Sequence, residues 1–206
     1  MQVLFAVLMS VCAFILGSCP FSVWIGRHAL HRDIRRYGDH NPGSSNVFRA
    51  GSKKWGIVAL VLDILKGAPV VLISRLLFGF SQPILYIIAF CAVLGHAYSP
   101  FLGFRGGKAL AVFAGTLLGL LQWDAIAALM VLFILGFLFF SNDSWTVIVS
   151  MVGAIVLMLF WRAEVWEILY IAAVALLFII KHFHDLRNPN HAGRLVDWVR
   201  SRRKTV

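Results

Sequence analysis

The chain has 206 residues, of which 60% are hydrophobic and 14% charged, with a mean hydropathy of +0.84 and a net charge of +10. These values exclude a soluble globular surface, a disordered chain, a coiled coil and collagen, and Cys12, Cys19 and Cys91 all lie in apolar stretches with no disulfide framework. The long apolar runs must face lipid, so the fold class is an all-α integral membrane protein.

The first span is expected over residues 2–24. It contains Leu16-Gly17-Ser18-Cys19-Pro20-Phe21, has no Lys or Arg before it and Arg27 after it, and so does not read as a secretory signal. A polar segment, 25–54, follows. A connection of that length is usually functional or disordered, and Tyr37, the nearby Trp55 and a Gly/Asn-rich middle argue for order near the headgroups. His28 and Asp33 have the spacing of a base and its orienting carboxylate. No Pro-Glu-Gly block accompanies them, and the pair is read as coincidental.

The most informative stretch is Gly38-Asp39-His40-Asn41-Pro42-Gly43-Ser44-Ser45-Asn46-Val47-Phe48-Arg49. Gly and Asn tolerate positive φ, so their backbone N–H groups can turn inward as an anion nest. The amides of Asn41 and Asn46 and the guanidinium of Arg49 would complete a phosphate site. The competing reading is a polar loop rich in turn residues.

The second span is expected over 55–78. Asp63 and Lys66 share one of its faces, and charges in a membrane are costly unless paired. An ion pair is expected there, either structural or lining a substrate cavity. Gly-Phe-Ser-Gln-Pro at 79–83 breaks the chain before span three, 83–99, which ends at Gly95-His96.

Next comes Tyr98 through Gly106-Gly107-Lys108, with an apolar helix following directly. A helix start there would offer free N–H groups, a positive dipole end and the Lys108 ammonium to an anion. It is not a Walker A loop, because Leu102 stands where its first Gly belongs and Ala109 replaces its Ser/Thr. The competing reading makes Arg105 and Lys108 interfacial anchors and His96 a helix-end histidine satisfied by carbonyls.

Four further spans are expected over 109–122, 125–140, 145–161 and 165–181, broken at 122–124, 141–144 and 162–164. Lys181-His182-Phe183-His184-Asp185-Leu186-Arg187 closes the last. Helical spacing sends His182 and His184 to different faces, so no metal site is expected. Residues 1–185 read as one membrane domain without internal repeats, and 186–206 as a basic tail.

Seven spans place residues 25–54, 99–108, 141–144 and the C-terminal segment on one face. That face carries sixteen of the nineteen Lys and Arg residues. Basic loops stay in the cytoplasm, so the N-terminus is expected outside and the C-terminus inside. The basic excess is thus read as topology, and no nucleic-acid partner is expected.

Taken in order, these pieces resemble the bacterial acyl-phosphate:glycerol-3-phosphate acyltransferase family, of the PlsY type. The resemblance rests on Leu16 to Phe21, on Asn41 to Arg49, on Leu62-Asp63-Ile64-Leu65-Lys66-Gly67, and on Gly95-His96 through Lys108. It implies a seven-span bundle in the bacterial cytoplasmic membrane with the active site on the cytoplasmic face. It also implies a reaction: the sn-1 hydroxyl of glycerol 3-phosphate attacks an acyl phosphate, giving lysophosphatidic acid and phosphate. The partners are those two substrates and membrane lipids, with no cofactor or metal. Arg49, His96 and Lys108 are the implied catalytic residues. Asn41, Gly43, Asn46, Gly106, Gly107, Asp63, Lys66 and His182 are the implied substrate-binding residues.

The chain also departs from that pattern. Asp39 stands where the family usually has Ser, Ala109-Leu110-Ala111-Val112 loses a Gly and a Thr, and His182 to Leu186 only echoes the third motif. Two further readings therefore stay open: a divergent or inactive paralogue with another acceptor, and a membrane anion transporter. Asp39 is expected to point away from the cradle and pair with Arg35 or Arg36, because an unpaired carboxylate near lipid is costly.

Overall fold

A computed structural model describes residues 1–161 and 164–187. Most of the basic tail and part of the 162–164 break therefore lie outside the described residues. The chain divides into two compact units, Met1–Gln122 and Trp123–Val206.

The first unit begins with α1 (Gln2–Ser18), whose lipid-type side chains such as Leu4, Val7, Leu8, Val11 and Ile15 are exposed. Pro20, which has no N–H to continue α1, breaks it, and α2 (Phe21–Ala29) starts on the other side. The expected first span is thus two helices, and the second runs into what was read as loop. Two 3-10 turns lie in this unit, Ile34–Arg36 and Pro100–Leu102. The remaining helices are α3 (Ser44–Arg49), α4 (Lys53–Leu65), α5 (Pro69–Leu77), α6 (Gln82–Ala97) and α7 (Leu110–Gly119). Span two is also split, with Pro69 in the first turn of α5, where its missing N–H costs nothing. Mean hydropathy cannot see this second break, because α4 and α5 are equally apolar.

Small residues let these helices approach closely, as expected where lipid offers no hydrophobic incentive to associate. A Cβ on Gly17 of α1 would fall on the Ala92 carbonyl of α6, and one on Gly95 of α6 would fall on the Phe14 carbonyl of α1. Ser99 Oγ then donates to the Ser18 carbonyl at 2.6 Å, fixing the ends of both helices together.

The segment between α2 and α4 is folded. Val23, Ile34, Val47, Ala50 and Ala59 form a small core, with Tyr37, Trp55 and Leu102 packed against it. Arg32 donates to the Ala50 carbonyl, and Ser52 caps α4 by accepting the Trp55 N–H at 3.2 Å. This core anchors α3, the helix that carries Asn46 and Arg49.

The second unit contains α8 (Trp123–Phe139), α9 (Asp143–Trp161) and α10 (Val165–Leu186). Met151, Ala154, Ile171, Val174 and Phe178 are buried within it. α10 runs five residues past the expected end of its span, so His182 and Asp185 belong to the helix itself.

By length and hydropathy five helical stretches can cross a membrane: Gln2–Ala29, Lys53–Leu77, Gln82–Leu102, Asp143–Trp161 and Val165–Leu186. Leu110–Gly119 and Trp123–Phe139 are apolar but shorter. Ten helical residues in α7 rise only about 15 Å, half the ~30 Å hydrocarbon core.

Candidate active site

At the junction of the α2–α4 segment and the α6–α7 loop, several donors converge on one carboxylate. Gly38 and His40 take positive φ values of 54° and 59°, and these two bends turn Asp39 inward. Its Oδ2 accepts from Lys108 Nζ at 2.5 Å. Its Oδ1 accepts from Asn46 Nδ2 at 3.0 Å, from Arg49 Nη1 at 3.3 Å and from the Asn41 N–H at 3.4 Å.

Asn46 is fully buried and organises this cluster. Asn46 and Arg49 lie three apart on α3 and so share a face. Asn46 Oδ1 accepts from Arg49 Nη1 at 2.9 Å, while its Nδ2 also donates to the Asn41 carbonyl at 2.8 Å. The Asn46 amide therefore aims Arg49, and its own hydrogen bonds all stay inside the protein. Burial by itself raises the Asp39 carboxyl pKa. The Lys108 ammonium, assisted by Asn46, outweighs that effect and holds the carboxyl below its ordinary value.

The expected Asp39 partners are corrected by this geometry. Arg35 is taken by Asp33, with Nε donating at 2.9 Å and Nη2 at 2.8 Å in a two-pronged pair. Asp33 also caps the Ile34–Arg36 turn through the Arg35 N–H. A partner two residues away is reached with little loss of side-chain freedom, which leaves Asp39 to the cradle cations. Hydrogen bonding to Arg35 holds the Asp33 carboxyl down to about 2. It also occupies the carboxylate of the His28/Asp33 spacing, and His28 is exposed.

The Gly-Gly-Lys segment differs from its expected role in one respect. It does not open a helix: Ala109 is left-handed, with φ 62°, and α7 begins at Leu110. The Gly107 N–H donates to the His96 carbonyl at 3.0 Å and the Lys108 N–H to Asn41 Oδ1 at 3.1 Å. These two amides serve the protein itself, and the charge offered here is the Lys108 ammonium. The glycines are needed for close approach. A Cβ on Gly106 would fall on the His96 carbonyl, and one on Gly107 on the His96 ring and 3.1 Å from Asn41 Oδ1. Gly43 is similar, its Cβ position lying 2.9 Å from Asn41 Nδ2. Asn41, Gly43, Asn46, Arg49, His96, Gly106, Gly107 and Lys108 thus lie in one neighbourhood.

Asp63 and Lys66 lie elsewhere in the same unit. They form an ion pair at 2.8 Å, with side chains 2% and 1% exposed. Ser22 Oγ donates to Asp63 Oδ2, and Lys66 Nζ donates to the Cys19 carbonyl at 2.7 Å. The pair ties α4 to the α1–α2 break, and neither side chain reaches the surface. Ser22 was missed in the sequence. The available signal was that a buried carboxylate needs a second donor and Ser22 lies just past the break.

His182 belongs to the second unit, where its Nδ1 lies 2.8 Å from Ser144 Oγ. It is buried, and His184 is exposed, as the helical spacing implied. Asn142 Nδ2 donates to the Asp185 carbonyl at 2.9 Å, a second tie between α10 and the start of α9. Among the described residues no group of His, Cys, Asp and Glu is arranged to hold a metal ion.

Comparison with known proteins agrees with the resemblance read in the sequence. A family model described as glycerol-3-phosphate acyltransferase matches residues 7–190. The glycerol-3-phosphate acyltransferases of Streptococcus pyogenes serotypes M5 and M49 are each 32% identical over 195 residues, covering 90% of this chain and 91% of theirs. Among solved structures, PlsY, an integral membrane glycerol 3-phosphate acyltransferase, is similar in its glycerol 3-phosphate form, with TM-score 0.81 and 27% identity over 94% of this chain and 98% of that one. Its lysophosphatidic acid form gives TM-score 0.79 at 27% identity, over 93% and 96% of the two chains. By sequence and by fold, this multi-pass membrane chain belongs to the glycerol-3-phosphate acyltransferase family.

Proposed function

We propose that the chain transfers an acyl group from acyl phosphate to the sn-1 hydroxyl of glycerol 3-phosphate, releasing lysophosphatidic acid and inorganic phosphate. The observation that carries this reading is the convergence of Lys108 and Arg49 on a single anion, the Asp39 carboxylate. Donors that meet on a carboxylate in this way are also placed for a phosphoryl group.

The reaction needs little covalent help from the protein. The mixed anhydride is already activated, so the hydroxyl oxygen attacks its carbonyl carbon directly. The bond from that carbon to the phosphate oxygen breaks, and phosphate leaves with the electron pair and the hydroxyl proton. What remains for the protein is to position two phosphate-bearing reactants and stabilise the charge passing to the leaving group. Lys108 and Arg49 supply that charge, and His96 orients substrate beside Gly107. Asn41, Gly43, Asn46, Gly106 and Gly107 shape the cradle. Asp63 and Lys66 support it through the α1–α2 break.

The site is assigned to the cytoplasmic face of a bacterial inner membrane, among seven crossings with the N-terminus outside. The charge distribution and five long apolar stretches support this, and the shorter helices α7 and α8 are assigned as the remaining two crossings. Membrane lipids are its surroundings, and no nucleic acid is involved.

Turnover of acyl phosphate with glycerol 3-phosphate by the purified protein tests the reading. Lys108→Ala and Arg49→Ala should each lower it about a hundredfold or more, the loss of a charge-assisted contact in a poorly hydrated site. His28→Ala should be nearly silent. An active Lys108→Ala beside a dead His28→Ala would reverse the mechanism.

A further inference from the structure

We propose that Asp39 is an internal competitor for the phosphate cradle: its carboxylate occupies the position between Lys108, Arg49 and Asn46 that an incoming phosphoryl group must take, and it refills that position when phosphate leaves. The proposal rests on reading this cluster as the phosphate cradle of an acyltransferase.

Both carboxylate oxygens face the cradle. Oδ2 takes the Lys108 ammonium, and Oδ1 takes Arg49, Asn46 and the Asn41 N–H. A phosphoryl group bound by both cations cannot share that point with a carboxylate, since two like charges in contact repel strongly when partly removed from water. Asp39 sits between two left-handed residues on a loop. It can therefore withdraw without unwinding a helix.

The consequence is a uniform penalty on every anion, because each must displace the same carboxylate. Uniformity still selects by threshold. An acyl phosphate brings a second anchor in its chain, and an acceptor brings its hydroxyl contacts, so both can meet the penalty. Inorganic phosphate has only its charge and does not hold the site at ordinary concentrations. Asp39 thereby raises the KM of the substrates and suppresses inhibition by the phosphate product.

The test uses the full chain purified in detergent micelles, as wild type, Asp39→Asn and Asp39→Ser. Inorganic phosphate binding is measured by calorimetry, which does not depend on turnover, alongside KM, kcat and product inhibition by phosphate. Both variants should bind inorganic phosphate at least about tenfold more tightly, with a matching fall in KM and stronger product inhibition. Phosphate affinity unchanged within about threefold, or weaker, in a folded variant would overturn the proposal and make Asp39 an organiser of its cations. If the variants bind phosphate more tightly yet none of the three proteins acylates glycerol 3-phosphate, the acyl-transfer reading fails and the competitor role stands.

Discussion

The side-chain carbonyl of Asn41 accepts the backbone N–H of Lys108 at 3.1 Å, joining two loops sixty-seven positions apart in the chain. One amide thereby sets where the Lys108 ammonium starts from, while the Asn41 backbone carbonyl receives the Asn46 side chain that aims Arg49. The two cations of the cradle are positioned through the same residue.

Asn41→Ala should therefore damage the site without touching either cation. It strands a part-buried N–H, a defect of about 1–3 kcal/mol. If that falls on the geometry of the reacting state, kcat/KM should drop tenfold or more at about 1.4 kcal/mol per decade. Steady-state kinetics with acyl phosphate would check it. A variant within twofold of wild type would show that Lys108 is positioned by other contacts.

The glycines of the α6–α7 loop separate folding from function. Gly106→Ala drives a methyl into the His96 backbone carbonyl, which cannot move without shifting α6. It should lower the melting temperature and the activity together, through overpacking of about 1–3 kcal/mol or more. Gly107→Ala meets the His96 ring, a side chain that can rotate away. Its melting should change less than its turnover. Equal effects of the two substitutions on melting would contradict this division.

What the sequence disclosed follows the range of the interactions involved. The membrane class was legible from composition, and Asp63 and Lys66 were legible as a pair because a helix brings residues three apart together. The ordered motifs disclosed the family and collected most of the cradle. The split at Gly67-Ala68 was not legible, since α4 and α5 are equally apolar, and Pro20, which marks the first split, was read through as part of one span. Nor was the pairing of Asp39. Sequence proximity pointed to Arg35 and Arg36, whereas the nearer Asp33 takes Arg35, and the fold brings in Lys108 from sixty-nine positions away. The amides of Gly107 and Lys108 were misjudged for the same reason. Their acceptors, the His96 carbonyl and Asn41 Oδ1, come from other segments.

The buried pair yields a prediction about α4. Removing one member leaves the other charged and without its counter-ion in the membrane interior, a loss of about 3–5 kcal/mol. Asp63→Ala and Lys66→Ala should each reduce folded yield and melting temperature sharply. Asp63→Leu combined with Lys66→Met removes both charges and should recover much of the stability. If the pair only supports the fold, the double variant also keeps activity within about tenfold. Recovered folding with abolished turnover would instead make the pair part of substrate binding.

Acid should loosen the α2–α4 segment before the rest of the molecule. The Asp33 and Asp39 carboxyls both have folded-state values below their unfolded ones, Asp33 down to about 2. Groups shifted in that direction stabilise the fold above the unfolded carboxylate value, and the contribution is lost as pH falls through the folded value. Amide hydrogen exchange across residues 32–50 should therefore rise as pH is lowered from about 5 toward 2, relative to α1 and α6 measured in the same samples. Exchange that changes equally in all three regions would mean the two carboxylates hold nothing locally.

Topology can be read chemically at two exposed serines on opposite sides of the second hydrophobic stretch. Ser45 lies in the first turn of α3, in the segment assigned to the cytoplasm, and Ser81 immediately precedes α6 in the connection assigned to the outside. Cys12, Cys19 and Cys91 are free thiols and must first be replaced, for example by alanine, to remove background. In that background, a membrane-impermeant thiol reagent applied to intact cells should label Ser81→Cys and leave Ser45→Cys untouched until the membrane is opened. The expectation follows from the basic residues around α3, which are retained on the cytoplasmic side during insertion. Because α4 and α5 together make a stretch of 25 residues, long enough to cross, the two positions must differ if that stretch spans the membrane. Labelling of Ser45→Cys in intact cells would invert the orientation and move the phosphate cradle to the outer face, where the proposed acyl transfer would have no intracellular glycerol 3-phosphate to draw on.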